Sequence, residues 1–537
     1  MQSFMYRQTY IQSIRTLAAL AVLGLLLSGW RQTARAATVT RGPYLQKGTH
    51  TNIVVRWRTD TATDSRVRYG DSPTSLNSFA GNATVTTDHE VNVTLLSPDT
   101  QYYYSVGTST TPLAGGDSTY FWVTFPPEGT PAPTRVWVLG DSGTADSNAT
   151  AVRDAYFSAT GARQTDLWLM LGDNAYNSGT DSEYQSAVFN VYPTMLRKSV
   201  LFPTLGNHDT AQSTQFVDTY PYFSIFTLPK NGECGGLASG TEHYYSFDFG
   251  NIHFICLDSM TADRSPGGSM ATWLQNDLAT TRRDWVVAFW HHPPYSKGSH
   301  NSDTEIELIE MRENMLPILE AGGVDLVLSG HSHCYERSFL IDGHYGLSTT
   351  FNNSMKIDGG SGRDPNPYTK PAGLSSHRGA VYTVAGSSGQ TSGGSLNHPA
   401  MFISLNVLGS VVLDFTTNRL DLQFLDSTAG VRDTFAIVKG GTPSPPAAPT
   451  GLSAKAAGKR KINLAWTQSV SPNITQNTIS RSTVAGGPYS PVATVAATTS
   501  FNDTGLASHV TYYYVVTAVD SRSQESAYSN QASAAAR

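Results

Sequence analysis

Cysteine is scarce in this sequence: Cys234, Cys256 and Cys334 are the only three among 537 residues, so at most one internal disulfide can form and one thiol is left over. A scaffold stapled by disulfides is excluded. Charge is thin as well, at 15% of residues and a net −6, and no basic block offers a face to nucleic acid. Long apolar runs are missing too. Only residues 16–30 are uncharged between Arg15 and Arg31, short of the roughly 20 residues that a membrane-spanning helix needs. That stretch has the layout of a cleavable leader instead: Arg7 and Arg15 precede Leu17–Leu27, and Ala34-Arg35-Ala36 supplies small residues for cleavage. Residues 1–36 are therefore expected to be a signal peptide, and the mature chain to be secreted, whether periplasmic or extracellular. Removing the four arginines of that segment, which contains no acid, takes the net charge from −6 to −10. Wholesale disorder is excluded by a hydrophobic content of 39%, and the length suggests three domains.

The ends of the chain repeat one another. Trp57, in the alternating run Ile53–Trp57, is followed 45 residues later by Tyr102 in a triple tyrosine; Trp466, in Ile462–Trp466, is followed 46 residues later by Tyr512 in another. A buried strand tryptophan with a tyrosine corner identifies a seven-strand sandwich without its disulfide, so both segments look like fibronectin type III modules. Pro-rich stretches at 126–133 and 440–449 act as semi-rigid spacers. The expected organisation is a first sandwich over 37–128, a central domain over 133–439, a linker over 440–449 and a second sandwich over 450–537. The central domain alternates compact apolar runs (135–139, 167–171, 285–290, 324–328 and 381–384) with a helical pattern over Asp303–Ala321, capped by Asp303. A hairpin turning at Gly250-Asn251 is expected within Phe247–Phe254. The fold class is α+β, a central sandwich of two sheets flanked by helices between two all-β sandwiches.

Five short motifs follow strand-like runs in the central segment: Gly140-Asp141-Ser142-Gly143, Gly172-Asp173-Asn174-Ala175-Tyr176, Gly206-Asn207-His208-Asp209, His291-His292-Pro293 and Gly330-His331-Ser332-His333. Each polar tip should emerge at a strand's carboxyl end, where open α/β sheets gather their ligands. Carboxylates, an amide oxygen, imidazoles and a phenol can share two cations, and a metal pair about 3.5–4 Å apart can clamp the attacking and leaving oxygens of a phosphoryl transfer. His331 and His333 point the same way if their segment is extended; a tight loop would send one to each metal.

In this order, with Tyr176 in the second motif and Tyr335-Glu336-Arg337 after the last, the motifs resemble the purple acid phosphatases among the calcineurin-like metallophosphoesterases. Most of that superfamily has Asp-x-His in the first motif, whereas this chain has Asp141-Ser142-Gly143 and supplies Tyr176. The resemblance covers residues 37 to about 440. It implies a first metal, Fe(III), held by Asp141, Asp173, Tyr176 and His333, and a second, divalent Zn, Mn or Fe, held by Asp173, Asn207, His291 and His331, with Asp173 bridging. It further implies hydrolysis of phosphomonoesters by a metal-bound hydroxide at acid pH, with His208 and His300 assisting the leaving oxygen. Plant members carry two adjacent histidines where this chain has His300-Asn301, which leaves substrate preference open.

The same scaffold also serves phosphodiesterases and nucleotide pyrophosphatases. The non-enzymatic alternative is a wall-binding or adhesion protein with a degenerate centre, against which seven intact ligand positions stand. A small phosphate ester is the expected partner, with polysaccharide contact assigned to the C-terminal module. Cys256, inside the apolar run Ile252–Leu257, and Cys334 read as structural thiols. His243 and His253 read as hydrogen-bonded core histidines and His292 as facing away from His291. The Gly-, Ser- and Asn-rich stretch 341–379 is expected to be a long loop rimming the site.

Overall fold

The computed structural model describes residues 36–212, 217–440, 445–471, 474–520 and 524–537. The leader reading falls almost wholly on residues 1–35, outside the described residues.

The first strands are β1 (Val39–Gln46), β2 (Ile53–Gly70), β3 (Ser78–Val93), β4 (Gln101–Gly107), β5 (Pro112–Gly115) and β6 (Phe121–Val123). The long strand β2 changes partner along its length. Its first half lies between β1 and β3, and after a register shift between Arg58 and Thr63 its second half lies between β3 and β4. Such an irregularity bends a strand, which lets one hairpin serve both layers of a sandwich. Trp57 is buried and stacks on His89 at 4.6 Å, and the Tyr102 hydroxyl accepts the Ser97 N–H at 3.0 Å. The far end of the chain reproduces this device: Trp466 is buried and the Tyr512 hydroxyl accepts the Ala507 N–H at 3.1 Å. There, a three-stranded and a four-stranded sheet enclose a core of Leu464, Trp466, Ile479, Tyr514 and Val516.

Between these segments run β7 (Thr134–Leu139), β8 (Leu167–Met170), β9 (Val200–Pro203), β10 (Tyr245–Phe249), β11 (Ile252–Cys256), β12 (Trp285–Trp290), β13 (Leu326–Ser329) and β14 (Tyr335–Ser338). Strands β7, β8 and β9 are parallel neighbours in one sheet; β11, β12, β13 and Val381–Ala385 are parallel neighbours in the other. Their side chains are buried on both faces, which is why the sequence shows continuous apolar runs and no alternation. The expected hairpin joins β10 to β11 through Gly250, whose φ of 55° suits the turn.

The first sheet does not stop at the Pro-rich stretch. Strand β1 lies parallel to β9, with Leu45 opposite Val200, so the strands of the first segment continue the sheet of the central one. One apolar cluster accordingly runs from Tyr44 through Trp137 and Phe202 to Ile437. The two sheets of the central region are tied by the Tyr335-Glu336-Arg337 motif. Arg337, fully buried, makes two bonds to Asp433 at 2.6 and 3.0 Å, and the Tyr335 hydroxyl donates to the same carboxylate at 2.8 Å.

Two local expectations are corrected. The helix begins at Ile306, and Asp303 does not cap it, because its carboxylate is occupied by Lys297 at 2.7 Å and by the Ser348 N–H at 2.7 Å. That helix widens over Met311–Met315 before resuming at Leu316; Pro317 has no N–H to give and its ring crowds the turn behind it. The stretch 341–379 is not a bare rim loop either. It contributes strand Tyr368–Lys370, and the Lys370 ammonium lies 2.7 Å from Asp325 at the amino end of β13, the pole away from the motifs.

Candidate metal centre

The five motifs meet where the carboxyl ends of the two parallel strand sets face each other: β7, β8 and β9 from one sheet, β12 and β13 from the other. Each chain reversal there is tight. Asp141, Asp173 and His331 all adopt left-handed backbone, with φ of 57°, 52° and 65°. Such conformations cost of order 1–3 kcal/mol each and persist where the surroundings enforce them. Their glycine neighbours allow the close approach: a Cβ on Gly206 would lie 2.2 Å from the Asp173 nitrogen, and one on Gly172 would lie 2.6 Å from His291 Nδ1.

Seven side chains named from the sequence come together here in two groups. In the first, the Tyr176 hydroxyl is 3.2 Å from Asp141 Oδ1 and 3.3 Å from His333 Nε2, and His333 Nε2 is 3.5 Å from Asp141. In the second, Asn207 Oδ1 is 3.0 Å from both His291 Nε2 and His331 Nδ1, which are 3.2 Å apart. Asp173 lies between the groups, its Oδ1 3.5 Å from His291 Nε2 and accepting the His208 N–H at 2.8 Å. The loop 331–333 is the tight one, sending His331 to one group and His333 to the other.

The outer nitrogens determine what the inner ones can do. His291 Nδ1–H donates to the Leu171 carbonyl at 2.8 Å, His331 Nε2–H to Glu305 at 3.2 Å, and His333 Nδ1 meets the Ser392 hydroxyl at 2.8 Å. With those protons placed outward, His291 Nε2, His331 Nδ1 and Asn207 Oδ1 present three lone pairs to one point. Hydrogen bonds cannot reconcile three converging acceptors, whereas a cation can, and an oriented imidazole of this kind is the usual partner arrangement around a bound metal. The donor set therefore fits a metal pair. Among the described residues no lysine or arginine pairs with any of the seven.

Electrostatics point the same way. Burial pushes His331 down to about 4, against the opposing pull of Glu305, so the imidazole is neutral over most of the pH range. Burial lowers His333 as well, but the Asp141 carboxylate outweighs it and the net shift is upward. Burial, with Asp141 and Asp173 adding to it, holds the Tyr176 phenol far above its ordinary range, so its proton leaves only if positive charge arrives beside it.

His208 sits at the rim, its ring 4.5 Å from that of Tyr176, with Nδ1–H donating to the Asn177 carbonyl at 2.8 Å and Nε2 4.0 Å from Asp173. The His300 ring lies over His331 at 3.7 Å, with Nδ1–H donating to Glu305 at 2.8 Å. His292 does not turn away from the group: its buried ring is 4.3 Å from His331 on another side and its Nδ1 meets the Ser259 hydroxyl at 2.8 Å. His243 and His253 are held by carboxylates elsewhere. Cys334 is buried under the loop, its thiol 3.7 Å from Glu336, and all three cysteines are free thiols.

Sequence reasoning missed several neighbours. Glu305 lies in a helical pattern that gave it no distinction, and Gln390, whose amide is 3.3 Å from His333 Nε2, lies in a stretch without a motif. Asp209 was visible as the last residue of its motif. It is fully buried, accepts the Gly206 N–H at 2.8 Å and the Tyr184 hydroxyl at 2.6 Å, and is pushed up to about 7 by burial and by Asp173. Apolar concavity does not mark this centre: a groove of about 800 Å3 lined by Leu278, Ile318 and Leu374 lies apart from it.

Residues 134–335 match the family profile described as calcineurin-like phosphoesterase, and residues 43–126 match that of the purple acid phosphatase N-terminal domain. Purple acid phosphatase 15 of Arabidopsis thaliana is 31% identical over 279 residues, 47% of this chain and 49% of that protein. The chain thus spans about half the length of that relative. An uncharacterized protein of Mycobacterium tuberculosis is 28% identical over 401 residues, 67% of this chain and 72% of its own length. The purple acid phosphatase PPD1 from yellow lupin (Lupinus luteus) seeds superposes with a TM-score of 0.56 at 17% identity, over 74% of this chain and 75% of that one, a likeness of fold.

Proposed function

We propose, from the premise that this chain joins a purple acid phosphatase N-terminal domain to a calcineurin-like phosphoesterase domain, that it is an exported phosphatase hydrolysing phosphomonoesters at a two-metal centre with an acid optimum. The observation that carries this reading is the pair of donor groups, Tyr176 with Asp141 and His333, and Asn207 with His291 and His331, on either side of Asp173. The first group and Asp173 would hold Fe(III), because a phenolate and carboxylates are hard anionic ligands; the second and Asp173 would hold Zn, Mn or Fe(II), which imidazoles and an amide suit. Bound there, the two ions would polarise the ester and supply a nucleophile at mild pH.

The remaining work falls to the chain's own side chains. His208, fixed through its backbone N–H to Asp173, faces the open side with Nε2 and would orient the phosphate. His300, over the other group, would give its proton to the departing oxygen; general acid catalysis of that kind typically contributes 10²–10⁴-fold. The C-terminal sandwich, with its tyrosine corner, is read as a fibronectin type III module that makes accessory contact with a wall polysaccharide.

Metal analysis of the purified protein together with rates on a monoester and a diester tests the reading. Two ions per chain and preference for the monoester are expected, and Asp173→Asn should lose metal and nearly all activity together. Full activity in that variant would defeat the two-metal assignment; a preference for the diester would move the chain to the phosphodiesterases.

A further inference from the structure

We infer that Glu305 is a positioning residue that locks the proton-donating His300 and the metal-facing His331 into one fixed unit. The inference rests on the functional reading above and deepens it. A single carboxylate oxygen, Oε2, receives both His300 Nδ1–H at 2.8 Å and His331 Nε2–H at 3.2 Å. The other oxygen, Oε1, accepts the Asn301 N–H at 2.9 Å, so the carboxylate has little freedom to rotate.

Three consequences follow from that geometry. His331 is left with Nδ1 as its only inward atom, which is the atom beside Asn207 and His291. His300 is left with Nε2 as its only free atom, at the end of its ring opposite the carboxylate. The two rings lie 3.7 Å apart at 33°, so fixing one fixes the other.

The backbone carrying His300 is held just as firmly. Lys297 pairs with Asp303 at 2.7 Å, the Ser302 N–H donates to the Ser296 carbonyl at 3.1 Å, and the Ser299 hydroxyl accepts the His333 N–H at 2.9 Å. The buried Arg312 donates to the carbonyls of Pro294 and Ser302 from below. With the loop rigid, the carboxylate controls the remaining variable, the direction of the two imidazoles.

The bland alternative is a half-exposed ion pair. Glu305 retains 32% side-chain exposure and His300 31%, and exposed pairs typically contribute little to stability and have no bearing on chemistry. The alternatives differ in what they move. A stabilising pair alters all substrates alike; a positioning residue acts on proton delivery and on one metal.

Glu305→Gln keeps size but removes the charge and turns one of the two acceptor oxygens into an NH2 donor, which must then face either the two imidazole N–H groups or the Asn301 N–H. In the full chain loaded with metal, it should slow an alkyl phosphate at least about 10-fold in kcat while slowing nitrophenyl phosphate less than about 3-fold, since loss of an aligned acid hurts poor leaving groups most. KM should move little for either ester. In a double-mutant cycle on the alkyl ester, Glu305→Gln added to His300→Ala should cost less than about twofold more than His300→Ala alone, because both remove the same function. Independently of turnover, titration of the metal-free protein with Zn2+ should show one of two ions bound about 10–100-fold more weakly in Glu305→Gln, the usual loss when an imidazole's outer partner is removed. Equal slowing of both esters, multiplicative losses in the cycle, or unchanged zinc binding would each overturn the assignment. If the wild type binds zinc but hydrolyses neither ester, the phosphatase reading fails, and the zinc titration alone then judges Glu305.

Discussion

His253 should make the stability of this protein fall steeply between neutral and alkaline pH. Its imidazole is buried on β11, with Nδ1 2.7 Å from Asp248 of β10 and Nε2 2.7 Å from Asp277 of helix Ser269–Thr280. Burial works against the charged ring, but the two carboxylates prevail and carry it from 6.5 up to about 9. A histidine raised on folding binds its proton more tightly in the native state, so its contribution is complete below the unfolded value of 6.5 and is lost as pH rises through 9. At about 1.4 kcal/mol per unit, the shift is worth on the order of 3 kcal/mol. The carboxylates have other donors, Arg283 at 2.8 Å on Asp248 and Ser246 at 2.7 Å on Asp277, so the pair of acids stays folded when the imidazole loses its charge. Urea unfolding at steps from pH 6 to pH 10 measures the loss as a fall in midpoint at constant slope. His253→Gln is the control, because it removes the titrating group and cancels every other group in the same window. The variant should be less stable at pH 6 and should approach the wild type by pH 10. Parallel curves for the two proteins across that range would refute the reasoning.

Three further outcomes are expected. Tyr176→Phe should bleach a visible charge-transfer band while keeping part of the activity, as read by absorption spectra of the iron-loaded protein; a colourless wild type with full activity would remove the phenolate from the centre. Deleting residues 450–537 should leave kcat on a small ester unchanged, since every proposed ligand precedes residue 440, and a large loss would show that the C-terminal sandwich contributes to the centre. His300→Ala should slow alkyl phosphates far more than nitrophenyl phosphate whereas His208→Ala should slow both alike; the reverse pattern would exchange their roles.

Much of this protein is determined by short stretches of its sequence. Each parallel strand is an uninterrupted apolar run because both its faces are covered, and each donor motif begins within a few residues after such a run ends, so the order and approximate place of the donors follow from local pattern alone. The matched tryptophan-to-tyrosine spacings at the two ends also needed nothing beyond the chain itself, and both tyrosines make the same five-residue corner bond. Tertiary structure decided what depends on distant partners. That β1 extends the sheet through β9 could not be read from a Pro-rich stretch that looks like a linker, because strand pairing across 155 residues leaves no periodicity in either strand. Glu305 was invisible for a related reason. A glutamate at the start of a helix has no local signature, and its meaning arises only when β13 delivers His331 and the turn after β12 delivers His300 to the same oxygen. The failed Asp303 cap makes the same point in reverse: the local rule was sound, but Lys297 and Ser348 claimed the carboxylate first. Backbone preference and side-chain chemistry act over a few residues and are written in the sequence, while the choice among competing partners belongs to the folded whole.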